Sequence, residues 1–150
     1  MTAQPSRELI ASIVATAGTL LHEGQRLLKP LGLTVAQYNV LTILALASDG
    51  TSLSQRELSD ELVVDRSNAT GLLDRMEKAG WVRRADDAAD RRIYRVRLTP
   101  EGHRLWGKAD PLYAAAVARV TATLTARQTQ DTLTALGRIA AGAAAWDQRQ

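Results

Sequence analysis

The stretch from Ser54 to Leu98 constrains the fold of this chain most, because it joins two short helix signals to an arginine-rich hairpin. The second helix signal covers residues 66–79 and carries four apolar residues at the i, i+3, i+4 and i+7 spacing of a buried face: Ala69, Leu72, Leu73 and Met76. Its opposite face is small and polar near the N-terminal end, so such a helix can enter a DNA major groove. For this helix alone an ordinary solvated face is an equal alternative, and the neighbouring segments decide between them.

The basic residues are concentrated in the hairpin. The chain of 150 residues has a net charge of only +3. Residues 81–97 nevertheless hold six Arg against three Asp. A local basic patch indicates a polyanionic partner better than the total charge does.

Composition excludes several classes of protein. The chain has no Cys, which excludes disulfides, thiolate metal sites and a thiol redox switch. No apolar run approaches the roughly 18 residues of a membrane span, and the N-terminus lacks the pattern of a signal peptide. We therefore expect a cytoplasmic protein without a membrane partner.

Flanking helices are predicted on both sides of this stretch. Residues 5–28 carry an apolar stripe of helical period, wider than a monomer of this size needs to bury, and Lys29, Pro30 and Gly32 end that helix. Residues 99–102 open a later helix that Pro111 should bend or interrupt. A last helix follows and reaches Trp146.

Helix boundaries are marked by capping signals. Capping boxes begin at Thr34, Ser54 and Thr125, each with Gln or Glu three residues later. Asp65 can cap the helix over 66–79, and Gly80 ends it. The helix from Thr34 should bury Val40, Leu41, Leu44 and Ala45 and stop near residues 48–50.

Two strands, 81–85 and 93–98, enclose a charged loop over 86–92. With a helix over 54–62 and a turn at Val63-Val64, this order predicts a winged helix-turn-helix. Four segments within residues 31–105 then resemble the MarR family of bacterial regulators: LGLTVAQYNVLTIL, SQRELSDELVVDRSNATGLLDRMEKAGWVRR, DRR and VRLTPEGHRL.

The resemblance implies a mainly α fold, with a three-helix core and a wing sheet of two or three strands. Residues 34–105 would form the DNA-binding domain, and residues 5–30 and 112–146 would form dimerisation helices. It also implies a homodimer that binds a pseudo-palindromic operator in double-stranded DNA and is often released by a small ligand. We expect a transcriptional regulator, acting as a repressor; the alternative is a constitutive architectural DNA-binding protein without an effector.

The start of the recognition helix carries the candidate base contacts. Arg and Asn side chains offer bidentate hydrogen bonds to guanine and adenine. Ser67 and Thr70 could instead bind phosphate or cap the helix. Gly71 stands where the family commonly has a basic residue; it weakens the helix by roughly 1 kcal/mol relative to Ala and can allow a closer backbone approach. The predicted recognition residues are Arg66, Ser67, Asn68, Thr70, Gly71 and Arg75.

The hairpin loop supplies the predicted wing contacts. Asp90 can pair with Arg92 and hold the loop, which leaves Arg91 to enter a minor groove. The sequence leaves open which arginine does so, and solvated arginines are the alternative. Asp74, Asp86 and Asp87 are expected to be local ion-pair partners. Candidate phosphate contacts, for which a solvated face is nearly as good an explanation, are Ser54, Gln55, Arg56, Lys78 and Arg84.

Other polar and aromatic residues carry weaker predictions. His22 and His103 are far apart without a carboxylate cluster, so we expect neither metal nor cofactor. No nucleophile–base pair or phosphate loop predicts an enzyme. A pocket for a small aromatic or anionic effector is the remaining hypothesis, with core packing as the alternative for each residue: His22, Tyr38, Asn39, Trp106 and Tyr113.

Overall fold

The structure, a computed structural model, describes residues 3–47, 52–62 and 66–145, with the side chains of Ala3 and Arg66 left out. Its helices are α1 (Ala3–Leu28), α2 (Val35–Leu46), α3 (Gln55–Glu61), α4 (Ala69–Lys78), α5 (Pro100–Thr121) and α6 (Ala126–Ala144). Short 3₁₀ turns cover Lys29–Leu31 and Arg66–Asn68. The strands are β1 (Leu53–Ser54), β2 (Val82–Asp86) and β3 (Tyr94–Leu98).

The three strands form one antiparallel sheet in the order β1-β3-β2. Val82 of β2 pairs with Leu98 of β3, and Leu53 of β1 pairs with Val96. The predicted mainly α winged helix-turn-helix is thus confirmed, with three strands in the wing sheet. By its internal contacts the chain divides into two compact units, Met1–Tyr113 and Ala114–Gln150.

The predicted capping boxes are all present. The hydroxyls of Thr34, Ser54 and Thr125 each accept from the backbone N–H three residues on, and the Gln or Glu there accepts from the cap residue in return. Gly32 and Gly80 adopt left-handed φ angles of 71° and 78°, as residues that end helices do. After α4 the N–H of Trp81 donates to the carbonyl of Met76, which closes a Schellman motif.

The core of the first unit lies between α2, α3, α4 and the inner face of the sheet. Among the described residues, sixteen apolar ones are buried there, and they run in sequence from Leu28 to Ala109. The apolar face predicted for the recognition helix is confirmed, since Ala69, Leu72, Leu73 and Met76 are all buried. This packing fixes which face of α4 remains outside.

Several predicted boundaries are wrong by a few residues. The α-helix expected from residue 66 begins at Ala69, because Arg66–Asn68 forms a 3₁₀ turn and Asn68 makes no side-chain capping bond. Each strand of the hairpin begins one residue later than expected. Ala45, which was expected to be buried in α2, is only half-buried.

Helix α5 runs through Pro111 without a break, although Pro111 was expected to bend or interrupt it. A proline removes one backbone donor, and the hydrogen bonds on either side keep the segment helical. The predicted turn at 48–50, the turn at Val63-Val64, the Asp65 cap and Trp146 lie outside the described residues.

Within the described residues, no single helix has the length and apolar character needed to cross a membrane. Only the bent pair Gln4–Leu31 and Val35–Leu46, at 79° to each other, meets the length and composition criteria together.

Candidate nucleic-acid interface

Helix α3, the start of α4 and the β2–β3 hairpin surround an open groove of about 700 Å³. Helix α4 turns its polar face to this groove because its apolar face is buried in the core. The groove is lined in part by Gln55 and Arg56 of α3, Ser67 and Thr70 of the recognition segment, and Arg92 and Tyr94 of the hairpin. The structure therefore brings together candidate residues from three separate stretches of sequence.

A hydrogen bond joins the two helices of the helix-turn-helix across this groove. The amide Nε2 of Gln55 donates to the Thr70 hydroxyl at 2.9 Å. Because the hydroxyl oxygen accepts this bond, its own hydrogen is directed elsewhere. Thr70 is thus arranged as a donor, able to reach an acceptor such as a phosphate oxygen or a base N7.

Asn68, at the end of the 3₁₀ turn, forms a second group with Gly71 and Arg75 of α4. A Cβ atom built on Gly71 would lie 2.7 Å from Oδ1 of Asn68 and 3.6 Å from Nη1 of Arg75. Both polar side chains therefore converge over the glycine, and both residues are exposed. An amide next to a guanidinium provides donors and an acceptor for base edges or phosphates.

The other candidates on this surface lie around these two groups. Ser67 and Lys78 are exposed, and Arg56 is exposed on α3. Arg66 is placed by its backbone in the 3₁₀ turn.

Arg84 has a structural position that the sequence did not predict. Its side chain is 21% exposed and lies against two carboxylates of α4. Its Nε donates to Glu77 at 3.0 Å, its Nη2 donates to Asp74 at 2.5 Å, and its backbone N–H also donates to Glu77. The backbone and guanidinium of Arg84 lower the pKa of Glu77. We therefore interpret Arg84 as a link between the hairpin and the recognition helix, not as a phosphate contact.

The loop between β2 and β3 is held by two aspartates. The Oδ1 of Asp87 accepts from the backbone N–H groups of Ala89 and Asp90. Asp90 accepts from Nε and Nη2 of Arg92 at 3.0 and 2.9 Å, as the predicted Asp90–Arg92 pair requires. The side chain of Arg92 and its backbone N–H lower the pKa of Asp90. Arg91, next to this pair, is exposed and makes no ion pair with the described residues.

Arg95 connects the loop to α3. Its Nε donates to Asp87 at 2.6 Å, and its Nη1 lies 3.3 Å from Oε2 of Glu57. Glu57 is also the capping-box acceptor for Ser54, and the Ser54 backbone N–H is the main cause of its lowered pKa. Period two in β3 indicated that Arg95 faces away from buried Val96, but no sequence signal named its two partners.

Two of the three aspartates predicted to be local ion-pair partners form such pairs. Asp74 pairs with Arg84, and Asp87 pairs with Arg95.

The residues predicted to line an effector pocket are mostly packed. The rings of Tyr38 and Tyr113 lie 4.5 Å apart, and the Tyr38 hydroxyl donates to Asp110 at 2.8 Å. Burial is the main cause that raises the pKa of Tyr38 to about 12. Trp106 donates from Nε1 to the Thr42 hydroxyl at 3.3 Å. Asn39 is half-buried and His22 is exposed. For Tyr38, Trp106 and Tyr113 these contacts match core packing, which was the alternative to an effector pocket.

A smaller cleft of about 340 Å³, which sequence reasoning missed, lies between α1, the start of α2 and α4. Leu21 and Gln25 of α1, Val35 of α2, and Leu72 and Arg75 of α4 contribute to its lining. Gln25 holds the corner between α1 and α2, because its amide donates to the Leu33 carbonyl and accepts from the Val35 N–H. The only sequence signal was a polar Gln25 on an otherwise apolar stripe.

Among the residues that the structure describes, no group of three or more His, Asp or Glu is placed to hold a metal ion.

Two short helices arranged as a helix-turn-helix, together with a three-stranded wing sheet, define the winged helix-turn-helix class of protein. The model of the MarR family matches residues 31–93. The uncharacterized HTH-type transcriptional regulator YsmB of Bacillus subtilis is 33% identical over 108 residues, which cover 70% of this chain and 72% of YsmB. The chain belongs to the MarR family.

Other relatives match over shorter segments or by structure. The transcriptional activatory protein BadR of Rhodopseudomonas palustris is 38% identical over 58% of this chain. That match covers 50% of BadR, so the chain spans about half the length of the curated relatives it matches first. Sco3205, a MarR family regulator from Streptomyces coelicolor solved in complex with DNA, has a TM-score of 0.82 and 29% identity, covering 94% of this chain and 88% of Sco3205.

Proposed function

We propose that this protein is a sequence-specific DNA-binding transcription regulator. The observation that carries the proposal is the groove lined by Arg56, Ser67 and Thr70, in which the Thr70 hydroxyl is arranged as a donor. Asn68, Arg75 and the wing arginine Arg91 are exposed on the same segments outside that lining. The complex of Sco3205 with DNA supports it, since that relative shares the fold at 29% identity. Because such a regulator acts on chromosomal DNA, the proposal retains the expected cytoplasmic location.

In this proposal the start of α4 enters a major groove and the wing loop enters the neighbouring minor groove. Asn68 and Arg66 contact base edges, while Ser67 and Thr70 contact bases or phosphates. Arg91 occupies the narrow minor groove, where the negative potential favours a cation. Backbone phosphates are contacted by residues around the groove: Ser54, Gln55, Arg56, Arg75 and Lys78.

The acting species is proposed to be a homodimer. Every residue of α6 is at least partly exposed, as are the apolar residues of α1 before Gly24. Exposed apolar surface of this kind, on each of the two units, is typical of an interface, and a two-fold dimer is the commonest way to cover it. The large apolar residues left exposed include Leu9, Ile10, Val14, Leu20, Val120, Leu133 and Leu136. Light scattering that finds a stable monomer at micromolar concentration would contradict this part.

The experiment that tests the proposal is selection of bound duplexes from random DNA. A two-fold dimer with recognition helices in successive major grooves should select an inverted repeat with half-sites about 10 bp apart. Selection without any enriched sequence would reject sequence-specific regulation. Whether the bound protein represses or activates is then decided by transcription from a promoter that carries the selected site; we propose repression.

Release by a small aromatic or anionic ligand is the second part of the proposal. The 340 Å³ cleft falls within the volume range of small-molecule sites, and its lining combines apolar residues with the cation of Arg75. A ligand bound there would contact the recognition helix directly through Leu72 and Arg75. It would therefore change operator affinity if it bound the free and DNA-bound states unequally.

A constitutive DNA-binding protein without an effector is the alternative. The ring contact between Tyr38 and Tyr113 favours it, because these two residues fill space in which an effector was expected. Binding of operator DNA that no member of a broad ligand panel changes would support this alternative.

A further inference from the structure

The outer face of the hairpin carries two arginines directly opposite each other. Arg83 of β2 is the register partner of Arg97 of β3. Period two places both on the face opposite buried Val82 and Val96, and both are exposed. Neither guanidinium makes a hydrogen bond or an ion pair with the part of the chain that the structure describes. The hairpin thus holds two unneutralised cations at one cross-strand position.

This pairing is unfavourable in the isolated protein. Like charges at directly opposite positions of an antiparallel pair destabilise the sheet. Other arginines of the hairpin are neutralised, because Arg84 on the inner face, Arg92 in the loop and Arg95 on the outer face all have carboxylate partners. The uncompensated charge is therefore specific to Arg83, Arg97 and the wing-loop Arg91. A cation left without an internal partner is available to an external anion.

We infer that Arg83 and Arg97 form an accessory site for backbone phosphates of duplex DNA that flanks the operator. The inference rests on the proposed function, because the wing loop must first be placed on DNA. Arginine binds phosphate oxygens bidentately, and two adjacent guanidinium groups suit a polyanion better than a single ion.

The position of the pair determines which DNA it contacts. Arg97 is the third residue after Tyr94, where β3 begins, so the pair lies about 10 Å along the hairpin from its loop. DNA that reaches the pair must therefore extend past the base pairs that the loop contacts. Because the contacts are made to phosphates, they depend on the length of the flanking DNA and not on its sequence.

The test compares two duplexes and one double variant. The core duplex contains only the selected inverted repeat, and the extended duplex adds about ten base pairs, roughly one helical turn, of arbitrary sequence at each end. Wild-type protein should bind the extended duplex more tightly. Arg83→Gln with Arg97→Gln should reduce affinity for the extended duplex on the order of tenfold at low salt, and lower its log–log salt slope by about 0.9 for each phosphate that the variant no longer neutralises. Affinity for the core duplex should remain that of wild type.

Control variants separate a local contact from net charge. Arg26→Gln with Arg127→Gln removes the same charge from exposed sites elsewhere, where each arginine pairs with a carboxylate of its own helix. This control should not reduce the advantage of the extended duplex. Arg83→Lys with Arg97→Lys keeps the charge and should retain most of the salt slope. The double Gln variant should melt at or above the wild-type temperature, because it removes the repulsion between the two arginines.

Two results would overturn the inference. One is that wild type binds both duplexes with equal affinity, and the other is that the double Gln variant loses affinity equally for both duplexes. A double variant that binds extended DNA like wild type would assign this face to another partner and would also overturn it. Failure of wild type to bind the core duplex would instead reject the proposed function, so the two failures are distinguishable.

Discussion

Asn68 lies over Gly71, with its Oδ1 atom 2.7 Å from the position that a Cβ atom on residue 71 would occupy. Real Cβ atoms essentially never approach another heavy atom so closely, so the amide must move if residue 71 gains a side chain. Arg75 approaches the same position from the next turn. Glycine at 71 therefore makes room for two polar side chains that we place on DNA.

We predict that Gly71→Ala changes base preference without unfolding the protein. Alanine favours the helix by roughly 1 kcal/mol over glycine, whereas the added methyl group displaces the Asn68 amide. If Asn68 makes a bidentate contact, discrimination at one symmetric base position should fall by about 1–3 kcal/mol. Repeating the selection from random DNA with this variant measures the change.

Gly107→Ala is the matched control for this substitution. Gly107 lies inside α5, and a Cβ atom there would meet no heavy atom within 4 Å. It should raise the free energy of unfolding by a similar amount and leave the selected sequences unchanged. A Gly71→Ala variant with wild-type preferences would show that the position of Asn68 does not determine specificity.

We predict that the two neighbouring wing arginines differ in their effects. Arg91→Ala should lower the salt slope of operator binding by about 0.9 if Arg91 contacts a phosphate, and should leave hydrogen exchange of the loop unchanged. Arg92→Ala should instead speed exchange of the loop amides, because it removes both side-chain bonds to Asp90. Equal effects of the two variants on slope and exchange would contradict this division of roles.

We predict that Arg84 stabilises the fold and positions the hairpin. Arg84→Met should lower the free energy of unfolding by about 1–3 kcal/mol, because it removes the guanidinium bonds to Asp74 and Glu77 and leaves Glu77 only the backbone N–H of residue 84. Operator affinity should fall by the same factor for all sequences, since the hairpin is then less firmly held. Urea unfolding and binding to several selected sites provide the two measurements.

Arg104→Met is the control for this prediction. Arg104 pairs with Glu101 within α5, but its side chain is 69% exposed. Such surface pairs contribute about 0–1 kcal/mol, so the control should change stability little. If Arg84→Met is as stable as the control, the link between β2 and α4 does not contribute to the stability of the fold.

We predict an alkaline transition that depends on Tyr38. Burial raises its pKa from 10.0 to about 12 in the folded protein. The unfolded chain therefore loses the proton first, so the contribution of Tyr38 to stability is complete below pH 10 and is lost as the pH rises to about 12. At about 1.4 kcal/mol per pKa unit, a rise from 10.0 to about 12 corresponds to a loss of order 3 kcal/mol.

Tyr38→Phe should remove this part of the pH dependence, and Tyr94→Phe, at an exposed tyrosine, should not. Urea unfolding of both variants between pH 9 and 12 makes the comparison. At neutral pH, Tyr38→Phe should also cost about 1 kcal/mol, because it removes the hydrogen bond to Asp110. Identical pH profiles for wild type and Tyr38→Phe would contradict the assignment.

The parts of the fold that the sequence predicted are those set by local chemistry. Capping boxes at Thr34, Ser54 and Thr125 depend on residues three positions apart, and the apolar face of α4 depends on a simple period. The 3₁₀ turn at Arg66–Asn68 was missed because α and 3₁₀ turns share similar backbone angles and residue preferences. Pro111 shows the limit of a local rule, since the surrounding helix is maintained through it.

The sequence could name candidate site residues but not how they pair. It named Asn68, Gly71 and Arg75 as candidates on the recognition segment, whereas the contact of both side chains over the glycine depends on rotamers. Arg84 was a candidate phosphate contact, yet its side chain is bound by two carboxylates of α4. Partners far apart in sequence, such as Arg95 and Glu57, follow from the tertiary arrangement and have no sequence signature.

The last prediction concerns how operator binding is switched. The chain contains no Cys, so it cannot form a disulfide or a sulfenic acid. The switch that we propose is therefore not thiol-based but non-covalent, and the cleft beside Leu72 and Arg75 is where we expect a small anionic aromatic molecule to act. A coupling of roughly 1–3 kcal/mol would weaken operator binding about 5- to 150-fold.

Titration of the operator complex with a panel of aromatic acids, and separately with hydrogen peroxide, tests the switch. We expect at least one acid to release DNA and peroxide to have no reversible effect. The matched variant is Leu21→Trp, which places a large side chain in the cleft from α1, away from the proposed DNA contacts. Light scattering first checks that the variant is still a dimer, because α1 also belongs to the proposed dimer surface. It should keep operator affinity and lose the response to the acid, because it occupies space that the ligand needs. A full response in this variant would place the ligand elsewhere, and reversible release by peroxide would refute the non-covalent switch.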